Sequence, residues 1–185
     1  MTDVFEVLKA DHEEVKAMLA RLEERPTPGS LEDRQKLTEQ VIIEESKHEA
    51  LEEMYFWPAV RDLGPEGERV AGKATSQEQE AKQVLAQLDK LSPSEARFEE
   101  LLAGFIVDAR EHIAFEEEQA WPILQAAISP QQARELGQKI AEGKATAPTR
   151  PHPHTPPSEG VLKAAGPVAA AADKLRDAAT GRGQD

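Results

Sequence analysis

The chain contains one eleven-residue segment twice, and this duplication limits what it can fold into. The first copy runs from His48 to Pro58 and the second from His112 to Pro122, at an offset of 64 residues. His, Ala, two successive Glu, Trp and Pro coincide between the copies. Both copies lie in helical patterns, so the His and the first Glu, four residues apart, point the same way from adjacent turns. The duplication therefore predicts two helices that each present an imidazole and a carboxylate to a common interior.

A second, weaker repeat links the segments that precede these two helices. Residues 11–22 match residues 77–88 at an offset of 66, with Glu, Lys, Ala and two Leu in common. His12 in the first segment corresponds to Glu78 in the second. The near-equal offsets predict a four-helix bundle with two-fold pseudo-symmetry, in which each helix pair supplies half of one polar centre.

Composition agrees with an all-α fold and limits the possible functions. Aromatic residues make up 4% and charged residues 31% of the 185 residues, which is typical of helical bundles. The net charge of −13 argues against nucleic acid and anionic membrane surfaces as partners. The absence of cysteine excludes disulfides and thiolate-ligated metals. Since there is neither a membrane-spanning run nor a signal-peptide pattern, we expect a cytoplasmic protein.

Cap and breaker residues predict where the helices begin and end. The expected caps, in chain order, are Thr2, Ser30, Ser92 and Ser129. Ser92 is followed by Pro93 and Glu95, the pattern of a capping box that opens helix four. Helix one is expected to end before a proline-rich turn at residues 25–29.

The expected organisation is one bundle followed by a tail. Residues 1–143 should form an up-down-up-down four-helix bundle with a short fifth helix, and residues 144–185 a Pro- and Ala-rich disordered, mobile tail. The alanine-rich part at residues 161–179 is compatible with one short helix. His152 and His154 lie in this tail, and we expect them to be solvated and not to bind metal.

Six ionisable side chains are expected to meet in one layer of the bundle. They are His12, His48, Glu52, Glu78, His112 and Glu116. A single histidine on an apolar face is usually a hydrogen-bonded core residue. Burying several unpaired carboxylates, however, costs several kcal/mol each, against a total stability of roughly 5–15 kcal/mol. We therefore favour a metal centre, with a metal-free polar core of His–Glu pairs as the alternative.

The ligand types indicate which metals fit. Imidazole and carboxylate without thiolate suit iron, manganese or zinc more than copper or calcium. Six protein ligands suit two metals bridged by Glu52 and Glu116, whereas a mononuclear structural zinc would leave two or three groups over. Tyr55, seven residues after His48, is expected to point inward as well, and Trp57 to close the bundle with its counterpart Trp121. Four nearby acids are expected to be solvated or to support the ligands: Glu44, Glu45, Glu53 and Glu117.

These residues resemble the pattern of the hemerythrin family, specifically the hemerythrin-like proteins with an HHE cation-binding domain. That pattern is a His in helix one, His-x3-Glu in helix two, a His in helix three, and His-x3-Glu before Trp-Pro or Phe-Pro in helix four. The resemblance covers residues 3–143. It implies a non-haem centre of two iron ions (Fe3+/Fe2+) bridged by oxo or hydroxo and by two carboxylates. Family activities include oxygen binding and sensing, iron handling, and reactions with peroxide or nitric oxide.

The chain departs from the family pattern at Glu78, where the family has His, and in carrying Tyr55. Three glutamates, a tyrosinate and an oxo bridge would together balance two Fe(III) ions, and anionic ligands stabilise ferric over ferrous iron. We therefore expect a diferric, catalase- or peroxidase-like oxidoreductase acting on hydrogen peroxide, nitric oxide or both, with Tyr55 as an iron ligand and catalytic residue. The alternatives for Tyr55 are a hydrogen bond to a ligand of the iron or packing in the core. The alternative is reversible binding or sensing of oxygen or nitric oxide, or iron handling. These small molecules are the expected partners.

Overall fold

The computed structural model describes residues 2–24, 30–155 and 159–182, and every regular element in these ranges is helical. The elements are α1 (Val4–Glu23), α2 (Leu31–Leu51), a π-helical segment (Glu52–Phe56), α3 (Trp57–Arg61), α4 (Pro65–Leu88), α5 (Ala96–Phe115), a second π-helical segment (Glu116–Ala120), α6 (Trp121–Ala127), α7 (Pro130–Gly143), a 3-10 turn (Lys144–Thr146) and α8 (Glu159–Thr180). The all-α fold class is confirmed. None of these helices is both long and apolar enough to cross a membrane. The turn predicted at residues 25–29 lies outside the described residues.

Four helical units close into a ring. α1 packs against α2 and α5, and α4 packs against the same two helices. The α3–α4 connection spans residues 62–64 and the α4–α5 connection residues 89–95; connections this short join antiparallel neighbours. Gly64 has a φ of 92°, a conformation that favours glycine. α7 packs on the outside of α1, so the arrangement is the predicted up-down-up-down bundle with a short fifth helix.

Two of the four predicted helix starts were wrong. Asp3 rather than Thr2 caps α1, because its side chain accepts the hydrogen bond from the third helical N–H. α5 begins at Ala96, because the Glu95 N–H bonds to the Ser92 carbonyl in a tight turn before the helix. The other two caps are confirmed, each with a complete capping box: Ser30 and Ser129.

Two apolar clusters fill the bundle, and a polar layer separates them. One cluster contains Trp57 and Trp121, whose predicted core role is confirmed. The other is built around Phe105 with two leucines of α1 and two of α4: Leu19, Leu22, Leu85 and Leu88. On α1, His12 falls between residues of the two clusters, and Glu78 does so on α4. The polar residues of the two repeats therefore share one level of the bundle.

The segment predicted to be a mobile tail, residues 144–185, packs on the bundle where the structure describes it. Ala170 and Asp173 of α8 are buried, and His152 Nε2 lies 2.9 Å from Asp173 Oδ2. His152 is thus held by a carboxylate, contrary to the expectation that it is solvated, whereas His154 is exposed as expected. The mobility of this segment in solution stays a prediction.

Candidate metal centre

The six residues singled out by the repeats meet in two overlapping groups. One group is His12, His48 and Glu116, and the other is Glu52, Glu78, His112 and Glu116. Within each group the candidate ligand atoms all lie within 4.8 Å of one another. Glu116 belongs to both groups, which is the placement that a carboxylate bridging two cations requires.

The Nε2 atoms of the imidazoles face the carboxylates. His12 Nε2 lies 3.0 Å from Glu116 Oε2, and His112 Nε2 lies 3.1 Å from Glu116 Oε1. His48 Nε2 lies 3.2 Å from Glu52 Oε2. The Nε2 atoms of His12 and His48 are themselves 3.3 Å apart. Imidazoles and carboxylates from four helices therefore surround one small volume.

Each ring also has an oxygen atom near its other nitrogen, Nδ1. The neighbours are Glu117 for His12 at 2.9 Å, Gln77 for His112 at 3.2 Å, and Asp11 for His48 at 3.6 Å. For His12 and His112, an acceptor at Nδ1 favours the proton there and leaves the lone pair of Nε2 for a metal, whereas the 3.6 Å separation at His48 is too long for a hydrogen bond. Glu117 was expected to be solvated or to support a ligand, and it supports His12.

Five of the six carboxylate oxygens of the centre have no hydrogen-bond donor among the described residues. Both oxygens of Glu52, both of Glu116, and Oε2 of Glu78 are buried and accept no hydrogen bond of good geometry from the described residues. The three side chains are fully buried, and leaving such oxygens unpaired is costly. Two cations held by six ligands would remove that cost. The residues present therefore fit a pair of metal ions, and their oxygen and imidazole donors suit iron.

Burial and neighbouring charges shift the titration of these groups. Burial, together with the charge of Glu116, raises the pKa of Glu52 to about 8. Burial alone would lower the pKa of His112, but Glu116 outweighs it and raises that pKa to about 9. Burial would raise the pKa of Glu116, but the imidazoles, His112 foremost, hold it well below its usual value. Without a metal, Glu52 and His112 therefore hold protons at neutral pH.

A π-helical turn begins at the Glu of each duplicated His-x3-Glu. The Trp57 N–H bonds to the carbonyl of Glu52, five residues back, and the Trp121 N–H bonds to that of Glu116. The next residue in each copy is proline, which lacks an N–H and clashes with an ordinary α-helical turn. The wider turn accommodates the proline, and such turns are frequent at functional sites. Regular α-helical geometry across these segments, which the sequence analysis assumed, was wrong.

Each tryptophan contacts a residue of the centre. The Trp57 indole N–H donates to Glu78 Oε1. The Trp121 ring stacks on His12, with centroids 5.1 Å apart and an interplanar angle of 16°. His12 and Glu78 are equivalent residues in the match between segments 11–22 and 77–88. The two equivalent tryptophans therefore contact different residue types, a carboxylate for Trp57 and an imidazole for Trp121. Both tryptophans were predicted from the sequence to be core residues, and these contacts were not predicted, although each Trp follows its Glu by the same number of residues.

Tyr55 lies within the first π-helical segment, and its side chain is half-buried. It packs against the apolar cluster that contains Trp57, and a Cβ built on Gly143 of α7 would lie 3.6 Å from Tyr55 Cε2. Residues advance by a smaller angle in a π-helix than in an α-helix, so the periodicity that directed Tyr55 inward does not apply here. The roles of Tyr55 as iron ligand and catalytic residue stay predictions.

A duplicated lysine–glutamate pair flanks the centre. Lys82 Nζ lies 2.6 Å from Glu53 Oε1, and both side chains are buried. The equivalent pair, Lys16 and Glu117, is 2.8 Å apart and partly exposed. Neither pairing was predicted from the sequence. The available signal was that the lysines and the glutamates each coincide in the repeats.

Two further acids of α2 are buried beside the centre. Glu45 is 7% exposed and Glu49 is 1% exposed. Glu45 was expected to be solvated or supporting, as was Glu44, which is half-buried and paired with Lys47 at 2.7 Å. Glu49 was missed because the repeat offers no signal for it: its counterpart is the apolar Ile113.

Comparison with known proteins agrees with this geometry. The Hemerythrin HHE cation binding domain matches residues 3–124. An uncharacterized hemerythrin-like protein of Schizosaccharomyces pombe is 28% identical over 139 residues, which are 75% of this chain and 68% of that protein. The crystal structure of a Hemerythrin HHE cation binding domain-containing protein, the Rv2633c homolog from Mycobacterium kansasii, has the same fold. Its TM-score is 0.67 at 24% identity, over 78% of this chain and 86% of that one. Since the matched domain includes all six candidate ligands and most of the chain, this protein belongs to the hemerythrin HHE cation-binding domain family.

Proposed function

We propose that this chain is a di-iron oxidoreductase that reacts with hydrogen peroxide, nitric oxide or both, in a catalase- or peroxidase-like reaction. The observation that carries the proposal is the position of Glu78. This third carboxylate is fully buried and grouped with Glu52, Glu116 and His112, where the family pattern has a histidine. The proposed cofactor is two iron ions (Fe3+/Fe2+) with an oxo or hydroxo bridge.

We place the activity in the cytoplasm, with hydrogen peroxide, nitric oxide and oxygen as the small molecules that reach the centre. Nucleic acid and membranes are not among the proposed partners, because a chain of net charge −13 is repelled by phosphate-rich surfaces.

The charge of the centre favours ferric iron. Glu52, Glu78 and Glu116 supply three negative charges before any bridging oxygen or Tyr55 is counted, whereas the family pattern has two carboxylates. A more anionic set of ligands stabilises the more highly charged metal ion. Reversible oxygen binding needs an accessible diferrous state, so the third carboxylate supports reaction with peroxide over oxygen carriage.

Bound iron would supply a Lewis acid and an electron reservoir. The residues of the chain supply orientation. Glu117 and Gln77 hold two of the imidazole rings through Nδ1. Trp57 donates to one oxygen of Glu78, and the other oxygen, Oε2, is left free of hydrogen bonds from the described residues. Glu78 is thereby fixed with one oxygen available to a cation.

Oxygen evolution from hydrogen peroxide tests the proposal. Two molecules of hydrogen peroxide give one of oxygen and two of water, so an oxygen electrode follows the reaction directly. Iron-loaded protein should evolve oxygen faster than the same concentration of free iron. Glu78→His, which restores the family ligand, should be slower at equal iron content. Oxygen evolution no faster than that of free iron would contradict the proposal.

A parallel measurement tests the action on nitric oxide. Iron-loaded protein with hydrogen peroxide should remove nitric oxide from solution, as followed with a nitric oxide electrode, and protein freed of iron should not. If instead the reduced protein shows a repeatable absorption change on cycling oxygen or nitric oxide, reversible binding is its function. If it shows neither reaction, iron handling is the remaining alternative, which the buried acids Glu45 and Glu49 beside the centre favour.

A further inference from the structure

A cleft of about 300 Å³ opens between α2, α4 and α5 and ends at the metal centre. Its lining includes five carboxylates and one ligand of the centre: Glu45, Glu49, Glu80, Asp108, Glu111 and His112. We propose that this cleft is the route by which divalent cations reach the centre, with Glu45 and Glu49 forming a transit subsite on the way. The inference rests on the metal binding proposed above and adds to it the path of the metal.

The charge of the cleft suits a cation. Five of the described residues that line the cleft carry a carboxylate. No Lys or Arg is found among the described lining residues. Glu80, Asp108 and Glu111 are exposed and form the outer rim. Charges of one sign at the mouth of a cleft with low-dielectric walls concentrate the opposite ion and raise its association rate. The rim therefore collects cations from solution.

The inner end of the cleft holds an unpaired buried acid. Glu49 is 1% exposed, and its Oε2 has no hydrogen-bond partner in the described parts of the chain. Glu45 lies one turn before it on α2 and is also buried. A buried carboxylate oxygen without a donor is costly, and a passing cation would satisfy it. Carboxylates and water are ligands that divalent iron accepts.

The route continues into the centre through His112. This residue lines the cleft, and its Nε2 lies 3.1 Å from Glu116 Oε1. Gln77, which contacts His112 Nδ1 at 3.2 Å, lines the cleft as well. A cation leaving the transit subsite thus meets a ligand of the centre next. Hydrogen peroxide is neutral and gains nothing from five negative charges, so the charge pattern identifies the cargo as a metal ion.

The kinetics of metal loading test the route. Full-length protein freed of metal is mixed rapidly with Co2+ alone, and the visible bands of bound cobalt report loading without redox chemistry. The rim variant replaces three exposed acids: Glu80→Gln, Asp108→Asn and Glu111→Gln. The control variant replaces three exposed acids outside the cleft and has the same net charge: Glu14→Gln, Asp62→Asn and Glu100→Gln.

The rim variant should load about tenfold more slowly than wild type at low ionic strength, and the difference should shrink as NaCl is added. The control variant should load at close to the wild-type rate, and the final cobalt content of both should equal that of wild type. Wild-type loading rates in the rim variant, or equal slowing in both variants, would overturn the route. If wild-type protein binds no cobalt, the proposed metal binding falls as well, so the two failures are distinguishable.

A single substitution tests the transit subsite. Glu49→Gln keeps the size of the side chain and should slow loading at high as well as low ionic strength, because a local ligand is lost rather than a long-range field. Glu49→Asp keeps the charge and should recover part of the rate. Circular dichroism checks that both variants fold. A wild-type rate in Glu49→Gln at all ionic strengths would show that cations do not pause at this residue.

Discussion

At the scale of single residues, Glu78 distinguishes the charge of this centre from that of the family pattern, which has a histidine at this position. One oxygen of this carboxylate accepts from Trp57 and the other faces the centre. Burial, with the charges of Glu53 and Glu52, raises the pKa of Glu78 well above its usual value. This shift disfavours the ionised form of Glu78, and a bound cation would favour it by competing with the proton.

Replacing Glu78 with histidine should make the iron centre easier to reduce. Glu78→His removes one negative charge from the ligand set, so the reduction potential should rise by at least about 60 mV, a tenfold change in a one-electron equilibrium. A spectroscopic redox titration of wild type and variant at equal iron content measures the shift. A potential that is unchanged or lower would show that charge does not control the redox state of this centre.

Substitution of Tyr55 separates iron ligation from packing. If the phenolate binds iron, iron-loaded protein has a broad visible charge-transfer band, and we expect Tyr55→Phe to abolish that band while both irons remain. Absorption spectra with metal analysis decide the question. An identical spectrum in the variant would mean that the ring only packs beside Gly143 and the apolar cluster.

The duplicated lysine–glutamate pairs should differ in their contribution to stability. Lys82→Met leaves the buried Glu53 without its partner, which costs about 3–5 kcal/mol of unfolding free energy. Lys16→Met is the matched control, since this lysine is 34% exposed, and it should cost about 1 kcal/mol or less. Urea denaturation of both variants measures the difference. Equal losses would contradict the dependence on burial, and adding Glu53→Gln to Lys82→Met should recover part of the stability.

At the scale of helices and turns, the two π-helical segments shape the centre. Each begins at the Glu of a His-x3-Glu and ends just before a Trp-Pro pair. The extra residue in the turn lets the helix continue past the proline and brings the tryptophan side chain to the level of the ligands. The duplicated sequence therefore forms the same π-helical turn, followed by a tryptophan beside the ligands, in both halves of the bundle.

The packing of α7 on α1 should depend on Gly137. A Cβ at this position would lie 2.7 Å from backbone atoms of Asp3 and Val4, so Gly137→Ala must push α7 away and should cost about 1–3 kcal/mol. Gly104 lies in α5 with open space around it, and Gly104→Ala should instead stabilise the protein by up to about 1 kcal/mol. Thermal denaturation should show a lower Tm than wild type for Gly137→Ala and no decrease in Tm for Gly104→Ala. Similar Tm changes in both would contradict the close approach.

At the scale of the whole molecule, two similar halves enclose one polar layer between two apolar clusters. The halves are alike in backbone and differ in chemistry, because His12 in one stands where Glu78 stands in the other. The layer contains three carboxylates and three imidazoles. Five of its six carboxylate oxygens have no hydrogen-bond donor among the described residues. Cations are therefore expected to stabilise the folded bundle as well as to provide its chemistry.

Metal binding should release protons, and the affinity should rise with pH. In the metal-free protein the pKa of His112 is about 9 and that of Glu52 about 8, so both hold protons at pH 7. A metal requires the neutral imidazole and the carboxylate, so these protons must leave. As pH rises toward about 9 fewer protons must be displaced and binding tightens. Calorimetry with Co2+ in buffers of different ionisation enthalpy measures proton release, and pH-independent affinity would contradict the expectation.

The sequence by itself determined the bundle and the ligand layer. Apolar residues recur at three- and four-residue steps along the helices, so the few ionisable residues on the same stripe, such as His12 and Glu78, had to face the interior. The duplication then related the two halves without any structural information. The helix caps at Ser30 and Ser129 could also be predicted from the sequence, because a capping box involves only four consecutive residues.

Only the tertiary structure decided what surrounds the ligands. The wide turn after Glu52, the hydrogen bond from Trp57 to Glu78 and the burial of Glu49 depend on how neighbouring helices approach, and residue spacing along one helix does not encode that approach. The packing of α8 on the bundle is likewise set by contacts between residues far apart in the chain, since α8 lies against the first π-helical segment. Periodicity tells which side of a helix is inward, whereas partners inside the protein are selected by packing in three dimensions.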